Sequence, residues 1–154
     1  MQALIDSNQY ARALRLHELV VAAAPNDPIV NRRYAILLKD NGRLDEALNL
    51  LLQWAEKPGI DLDNQLAILN NLALTLNGLG RRSDACATFE RAAALSTEAL
   101  DVRENHAVML FDHGDWQGAK ALFATVVARD KSRERSRYYL GEIGRYEAGF
   151  PLNK

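Results

Sequence analysis

The sequence predicts an all-α chain of antiparallel helix pairs that recur along its length, and three observations carry that expectation. A small residue returns shortly after a turn signal in four places, with Ala13, Ala47, Ala85 and Ala119 spaced 34, 38 and 34 residues apart. Between the turns, apolar residues recur every three to four positions, the period of one helix face. Glycine or asparagine stands at each turn, where it tolerates the left-handed backbone that ends a helix. A fixed period of this length is the mark of stacked supersecondary units.

Taken in order, the first turn signal is Asn8-Gln9-Tyr10, followed by Ala11 and Ala13, and Pro25 closes that unit. Asp27-Pro28 reads as an N-cap with proline at the first helical position. Tyr34, Ile36, Leu37 and Leu38 lead to the turn at Gly42, and Ala47, Leu48, Leu51 and Trp54 follow it. Leu69, Leu72, Ala73 and Leu76 precede Gly80, with Ala85, Phe89 and Ala92 after it. Ala107 and Leu110 precede Gly114, with Ala119, Phe123 and Val126 after it. Trp54 and Trp116 fall at interior positions and read as core. Ser132 to Ile143 reads as a last helix, and Gly144-Arg145-Tyr146-Glu147-Ala148 as a further turn. That helix is either a cap or the opening of a truncated unit; a cap is preferred because terminal repeats need a cover. The expected organisation is one domain, 1–154, with units 1–27 (partial), 28–61, 62–97, 98–131 and 132–154.

Composition narrows the function. The 154 residues suit one domain. Nineteen basic residues against twenty acidic give a net charge of -1, so the long-range field that draws proteins to nucleic acid is missing. The start, Met1-Gln2-Ala3-Leu4-Ile5-Asp6, lacks the layout of an export signal, and no apolar run is long enough for a membrane span. The single cysteine, Cys86, fits a reducing compartment. A cytoplasmic location is expected, or a periplasmic one if a signal has been removed.

Candidate chemistry is sparse. His17, His106 and His113 are scattered, and no Cys, His and Asp grouping has metal-ligand spacing, so no metal or other cofactor is expected. His106 reads as a hydrogen-bonded core histidine, and His113 as a residue at the carbonyl end of its helix. Cys86 reads as a small buried thiol without an adjacent base. The glycines at 42, 80, 114 and 144 are accounted for by turns, which leaves no phosphate loop. The stretch Arg129-Asp130-Lys131-Ser132-Arg133-Glu134-Arg135-Ser136-Arg137 is locally basic and reads as a solvated helix face. No residue set points to catalysis, and the chain is expected not to be an enzyme.

The pattern resembles the tetratricopeptide repeat family. Leu69-x-x-Leu72-Ala73-x-x-Leu76 with Ala85-x-x-x-Phe89 carries the resemblance, as do His106-Ala107-x-x-Leu110 with Ala119-x-x-x-Phe123, and Ala13 with Pro25. Asn31 and Arg103 replace the large opening residue, Leu51 replaces the Phe, and four extra residues lie around Lys57-Pro58-Gly59-Ile60. The resemblance implies a right-handed superhelix of about four repeats plus a C-terminal capping helix, with the first helix of each pair lining a concave face.

On that pattern Ile29, Arg32, Ile36 and Lys39 turn inward, then Asn70, Leu74 and Asn77, then Asp101, Glu104, Val108 and Phe111. Arg33, Asn71 and Asn105 stand at equivalent places in successive units, where a side-chain amide either satisfies a neighbouring backbone group between repeats or pairs with any peptide unit. The resemblance therefore implies a non-catalytic scaffold holding a protein or peptide partner in a groove with a basic end, an amide middle and an acidic end. The charged-clamp variant of the family would want Lys and Asn where Arg32 and Ile36 stand. Two other readings of the same repeats are the recognition part of a larger enzyme, such as a glycosyltransferase or sulfotransferase, and an assembly factor for secretion or pili.

Overall fold

The computed structural model describes residues 2–152, and side chains over 9–152. Eight helices follow one another: α1 (Gln2–Ala23), α2 (Pro28–Asp40), α3 (Leu44–Ala55), α4 (Leu62–Gly78), α5 (Arg82–Leu95), α6 (Leu100–Asp112), α7 (Trp116–Arg129) and α8 (Glu134–Glu147). No strand occurs among the described residues. The chain divides into two compact units, Met1–Leu95 and Ser96–Lys154.

In the first unit, α2 pairs with α3 and α4 with α5, while α1 packs on α2 and α4 also lies against α2 and α3. The start of α2 is set by Asp27, whose carboxylate accepts from the Ile29 N–H at 2.8 Å and the Val30 N–H at 3.1 Å, with Pro28 at the first helical position. Those bonds satisfy donors that the helix itself leaves open. Asp61 caps α4 through the Asn64 N–H at 2.9 Å. The recurring alanines explain how closely the paired helices approach. Ala35 and Ala47 in one pair, and Ala73 and Ala85 in the next, are fully shielded from solvent. Leu51, Leu69, Phe89 and Ala92 fill the space around them. Each buried leucine or phenylalanine contributes on the order of 1.5–3 kcal/mol.

The four extra residues are absorbed in the connection from α3 to α4. Gly59 takes φ 79°, and Lys57 lays its ammonium 3.9 Å from the centre of the Trp54 ring. The last carbonyl of α3, that of Ala55, accepts from Gln65 Nε2 at 2.9 Å and Arg91 Nη2 at 3.2 Å, so the interruption leaves no open acceptor there. Asn31, at the place of a large opening residue, is buried and donates to the carbonyls of Pro25 and Asp27 at 3.2 and 2.8 Å. It ties the start of its helix to the preceding loop instead of filling space.

The second unit pairs α6 with α7 and packs α8 on α7. Ala107, Ala119, Phe123 and Val126 are fully buried, and Ile143 joins them from α8. Tyr139 lies parallel to Phe123 at 5.0 Å between ring centres and edge-on to Phe111 at 4.8 Å.

Several expectations are corrected. The turn at Asn8-Gln9-Tyr10 is absent, because α1 runs unbroken from Gln2 to Ala23; that stretch has no glycine to take the left-handed turn. The last turn falls at Gly149 (φ 90°), not at Gly144, which lies inside α8. Continuing α8 past Gly144 brings Tyr146 edge-on to Trp116 at 4.1 Å and Glu147 to Lys120 at 2.6 Å, contacts that a break there would forgo. The hydrogen bonds mark the true position. Gly42 and Arg43 donate to Lys39 O and Leu38 O, both at 2.9 Å, and Gly149 and Phe150 repeat the pair onto Tyr146 O and Arg145 O at 2.9 and 3.0 Å. Trp116 is half-buried, since it opens α7 at the end of the pair, whereas Trp54 is buried as expected. Cys86 is half-buried, one position off the packed alanine stripe.

Candidate functional site

The residues singled out on first helices fall in both compact units, and each unit is described on its own. In the first unit they come from neighbouring helices α2 and α4. Counting from the fully buried Ala35 and Ala73, the half-buried Arg32 and Ile36 on α2 match the half-buried Asn70 and Leu74 on α4. One turn further, Lys39 and Asn77 also match and are half-buried. Ile29, at the start of α2, is among the exposed large apolar residues. The result is an apolar strip, Ile29, Ile36 and Leu74, flanked by cations and amides.

The electrostatics of this face are uneven. Lys39 is paired with Asp40 at 2.7 Å. Arg33 is exposed. The Nε of Arg32 is shielded from solvent and finds no acceptor among the described residues. A shielded donor without a partner costs roughly 1–3 kcal/mol, which an incoming acceptor recovers. Asn71 is half-buried and donates its amide to the Ala67 carbonyl at 2.8 Å, inside its own helix. One of its two amide N–H groups is therefore engaged by the neighbouring backbone.

In the second unit, α8 meets several of the acidic and amide groups of α6. Glu104 is buried and accepts from the Ser136 hydroxyl at 2.6 Å. Asp101 is ion-paired with Arg133, which also bonds Asp130 at 3.1 Å. The hydrogen bond to Asp101 holds the Arg133 guanidinium above its ordinary pKa. Asn105 accepts from Arg135 Nη1 at 3.3 Å, and Phe111 packs on Tyr139. Val108 is half-buried. The carboxylates on α6 are thus satisfied within the unit, an arrangement with no local signal because Ser136 and Arg133 stand about thirty residues further on.

A groove of about 610 Å³ lies at the other end of this unit, lined by Trp116, Ile143, Tyr146, Glu147, Phe150 and Pro151 among others. Trp116 and Tyr146 meet edge to face at 4.1 Å. Lys120 pairs with Glu147 at 2.6 Å, and its hydrogen bond lowers the Glu147 pKa. His106 is buried and His113 is exposed at the end of α6. Among the described residues no cluster of three or more His, Cys, Asp or Glu side chains could hold a metal ion, and no helix is long and apolar enough to cross a membrane.

Paired helices of this length, joined by left-handed glycine turns and packed through alanines, define a helical-hairpin repeat protein. Two sequence models of the tetratricopeptide repeat match the chain, over residues 4–59 and 65–107, and the chain belongs to the tetratricopeptide repeat family. No curated protein matches the sequence significantly. Solved structures similar to it include a tetratricopeptide repeat protein from Parabacteroides merdae, with TM-score 0.70 and 14% identity, covering 96% of this chain and 57% of that one. A Podosopora anserina putative kinesin light chain with nearly identical repeats gives TM-score 0.73 and 20% identity, covering 94% and 81%. YrrB, a tetratricopeptide repeat protein with an unusual peptide-binding site, gives TM-score 0.62 and 18% identity, covering 96% and 74%. The chain thus spans just over half of the first of these proteins. Repeats of this family typically serve as non-catalytic protein-interaction scaffolds.

Proposed function

We propose that this chain is a non-catalytic interaction module that captures a polypeptide segment on the α2 and α4 face of its first unit. The observation that carries the reading is the Arg32 Nε, shielded and without an acceptor among the described residues, on the helix that also carries the half-buried Ile36. A peptide carboxylate or main-chain carbonyl answers that donor, and the apolar strip accepts a side chain next to it. Arg33 adds a second positive charge, so an acidic or C-terminal portion of the ligand is favoured at this end. On the sequence reading Asn70, Asn71 and Asn77 lie along the same groove, where a side-chain amide can pair with main chain irrespective of sequence. Of the second-unit residues Asp101, Glu104, Asn105, Val108 and Phe111, Glu104 is bonded to Ser136, Asp101 to Arg133, Asn105 to Arg135, and Phe111 meets Tyr139. The family match and the peptide-binding site of YrrB support the class of ligand.

Panning a displayed random-peptide library on the chain tests this reading. Selected peptides are expected to be enriched in Asp or Glu beside an apolar residue, and to lose binding to Arg32→Glu/Arg33→Glu while that variant keeps its melting temperature. Unchanged capture by the double variant overturns the proposal.

A further inference from the structure

The fourth turn repeats the hydrogen bonds of the earlier ones, so residues of α8 can be placed in register with α4 and α6 by counting back from the turn glycine. On α4 the positions are Ile68, Leu69, Leu72, Ala73 and Leu76, all buried, and α5 follows as the second helix of the pair. On α6 they are Val102, Arg103, His106, Ala107 and Leu110, of which all but the half-buried Arg103 are buried, and α7 follows. On α8 the same positions are Arg137, Tyr138, Gly141, Glu142 and Arg145. Glu142 is buried, but Arg137, Tyr138, Gly141 and Arg145 are exposed.

The face that carries apolar side chains in the complete pairs is therefore cationic here. Arg137, Gly141 and Arg145 form one stripe at four-residue spacing, so the two guanidinium groups stem from points about 12 Å apart along the helix. A side chain added at Gly141 would meet nothing within 4 Å. Tyr138 is 54% exposed beside them, and a shallow depression of about 390 Å³ is lined by Glu134, Arg137 and Tyr138. Three other basic side chains of this unit have acids: Arg129 has Glu98, Lys120 has Glu147, and Arg133 has Asp101 and Asp130. Arg137 and Arg145 have no ion pair among the described residues, and the acids of the same helix are the exposed Glu134 and Glu147 and the buried Glu142.

We infer that this face docks an acidic helix of a partner polypeptide, laid along α8 with its carboxylates facing the stripe of Arg137, Gly141 and Arg145. Gly141 leaves room for the approach, Arg137 and Arg145 take its carboxylates, and Tyr138 covers its apolar edge. The surface lies in the second unit and does not depend on the proposed capture by α2 and α4.

The test uses a fluorescein-labelled helical peptide of alanine and glutamine with glutamates at i, i+4 and i+8, measured by fluorescence anisotropy at low salt. Arg137→Glu/Arg145→Glu is expected to weaken binding about tenfold, two exposed pairs being lost and reversed. Arg12→Glu/Arg15→Glu, which changes the net charge equally, is expected to leave affinity within about twofold. The titration is repeated in an Arg32→Glu/Arg33→Glu background, which removes capture at the other face, and the tenfold loss on Arg137→Glu/Arg145→Glu is expected there too. Circular dichroism of each variant, together with the milder Arg137→Gln/Arg145→Gln, separates lost docking from lost folding. Absence of binding, equal loss in the Arg12/Arg15 control, or equal binding of a peptide with its glutamates dispersed around the helix overturns the inference. So does tighter binding of single-stranded RNA of matched charge with the same dependence on Arg137 and Arg145.

Discussion

Phe89→Ala is the sharpest probe of how the first unit is held together. Phe89 is fully buried on α5, one turn after Ala85, in the core that also includes Leu69 and Ala73 of α4. Truncation removes the apolar contacts of the ring and leaves a void wherever the helices cannot close in, which together cost about 3–5 kcal/mol for a phenylalanine. Closure is limited here, because Ala73 and Ala85 already lack solvent exposure and offer no bulk that could move into the gap. For a chain of this size each kcal/mol shifts the melting temperature by about 2–4 °C, so a fall of roughly 6–20 °C is expected. Far-ultraviolet circular dichroism against temperature and urea measures it, with Phe89→Leu as a volume control losing less than half as much. A melting temperature within about 2 °C of the parent would refute the packing described for α4 and α5.

The placement of the last turn gives a paired prediction. Gly144→Ala, inside α8 with open space around the added methyl, is expected to stabilise the chain by about 0.4–1 kcal/mol, whereas Gly149→Ala, at φ 90°, is expected to cost about 1–2 kcal/mol. The opposite signs would put the turn back at Gly144, and differential scanning calorimetry reads both. Acid sensitivity follows from the carboxylates whose pKa values folding lowers: Glu46 through its hydrogen bond with Arg43, Asp61 through Asn64, Asp130 through Ser132 and Glu147 through Lys120. Because these folded values lie below the unfolded ones, their contribution is present above about pH 4 and is lost as the pH falls through the folded values. Urea midpoints are expected to drop from about pH 4 downward, less steeply in Lys120→Met/Arg43→Met. An unchanged profile in that variant would show that the pairs are immaterial.

The fold was legible in the sequence wherever one residue type had one job. Alanine where helices touch, glycine where the backbone turns left-handed, and Asp27-Pro28 at a helix start are local signals, and the structure places them as read. The reading failed where two local signals competed. Gly144-Arg145 looks like Gly42-Arg43 and Gly80-Arg81, yet α8 runs on to pack Tyr146 and Glu147 on α7, and Gly149 turns. Asn8 lacked the glycine that would have made its turn obligatory. The binding face was harder, because the pattern of first helices says which residues point away from the alanines but not which are already engaged. Glu104 looked like an available acid and is buried on Ser136, a contact that exists only after α8 has folded back on α6. Asn71, placed among the groove amides, spends one of its two N–H groups on Ala67.

The central claim is that polypeptide is captured on α2 and α4 of the first unit. Nitrogen-15 correlation spectra of the labelled chain, titrated with a peptide selected by panning, test it most directly. The account predicts shifted amide signals concentrated on α2 and α4 around Ile36 and Leu74, and a shift of the Arg32 Nε–H resonance as it gains an acceptor. Shifts concentrated on α3 and α5, with the Arg32 Nε–H unmoved, would contradict it.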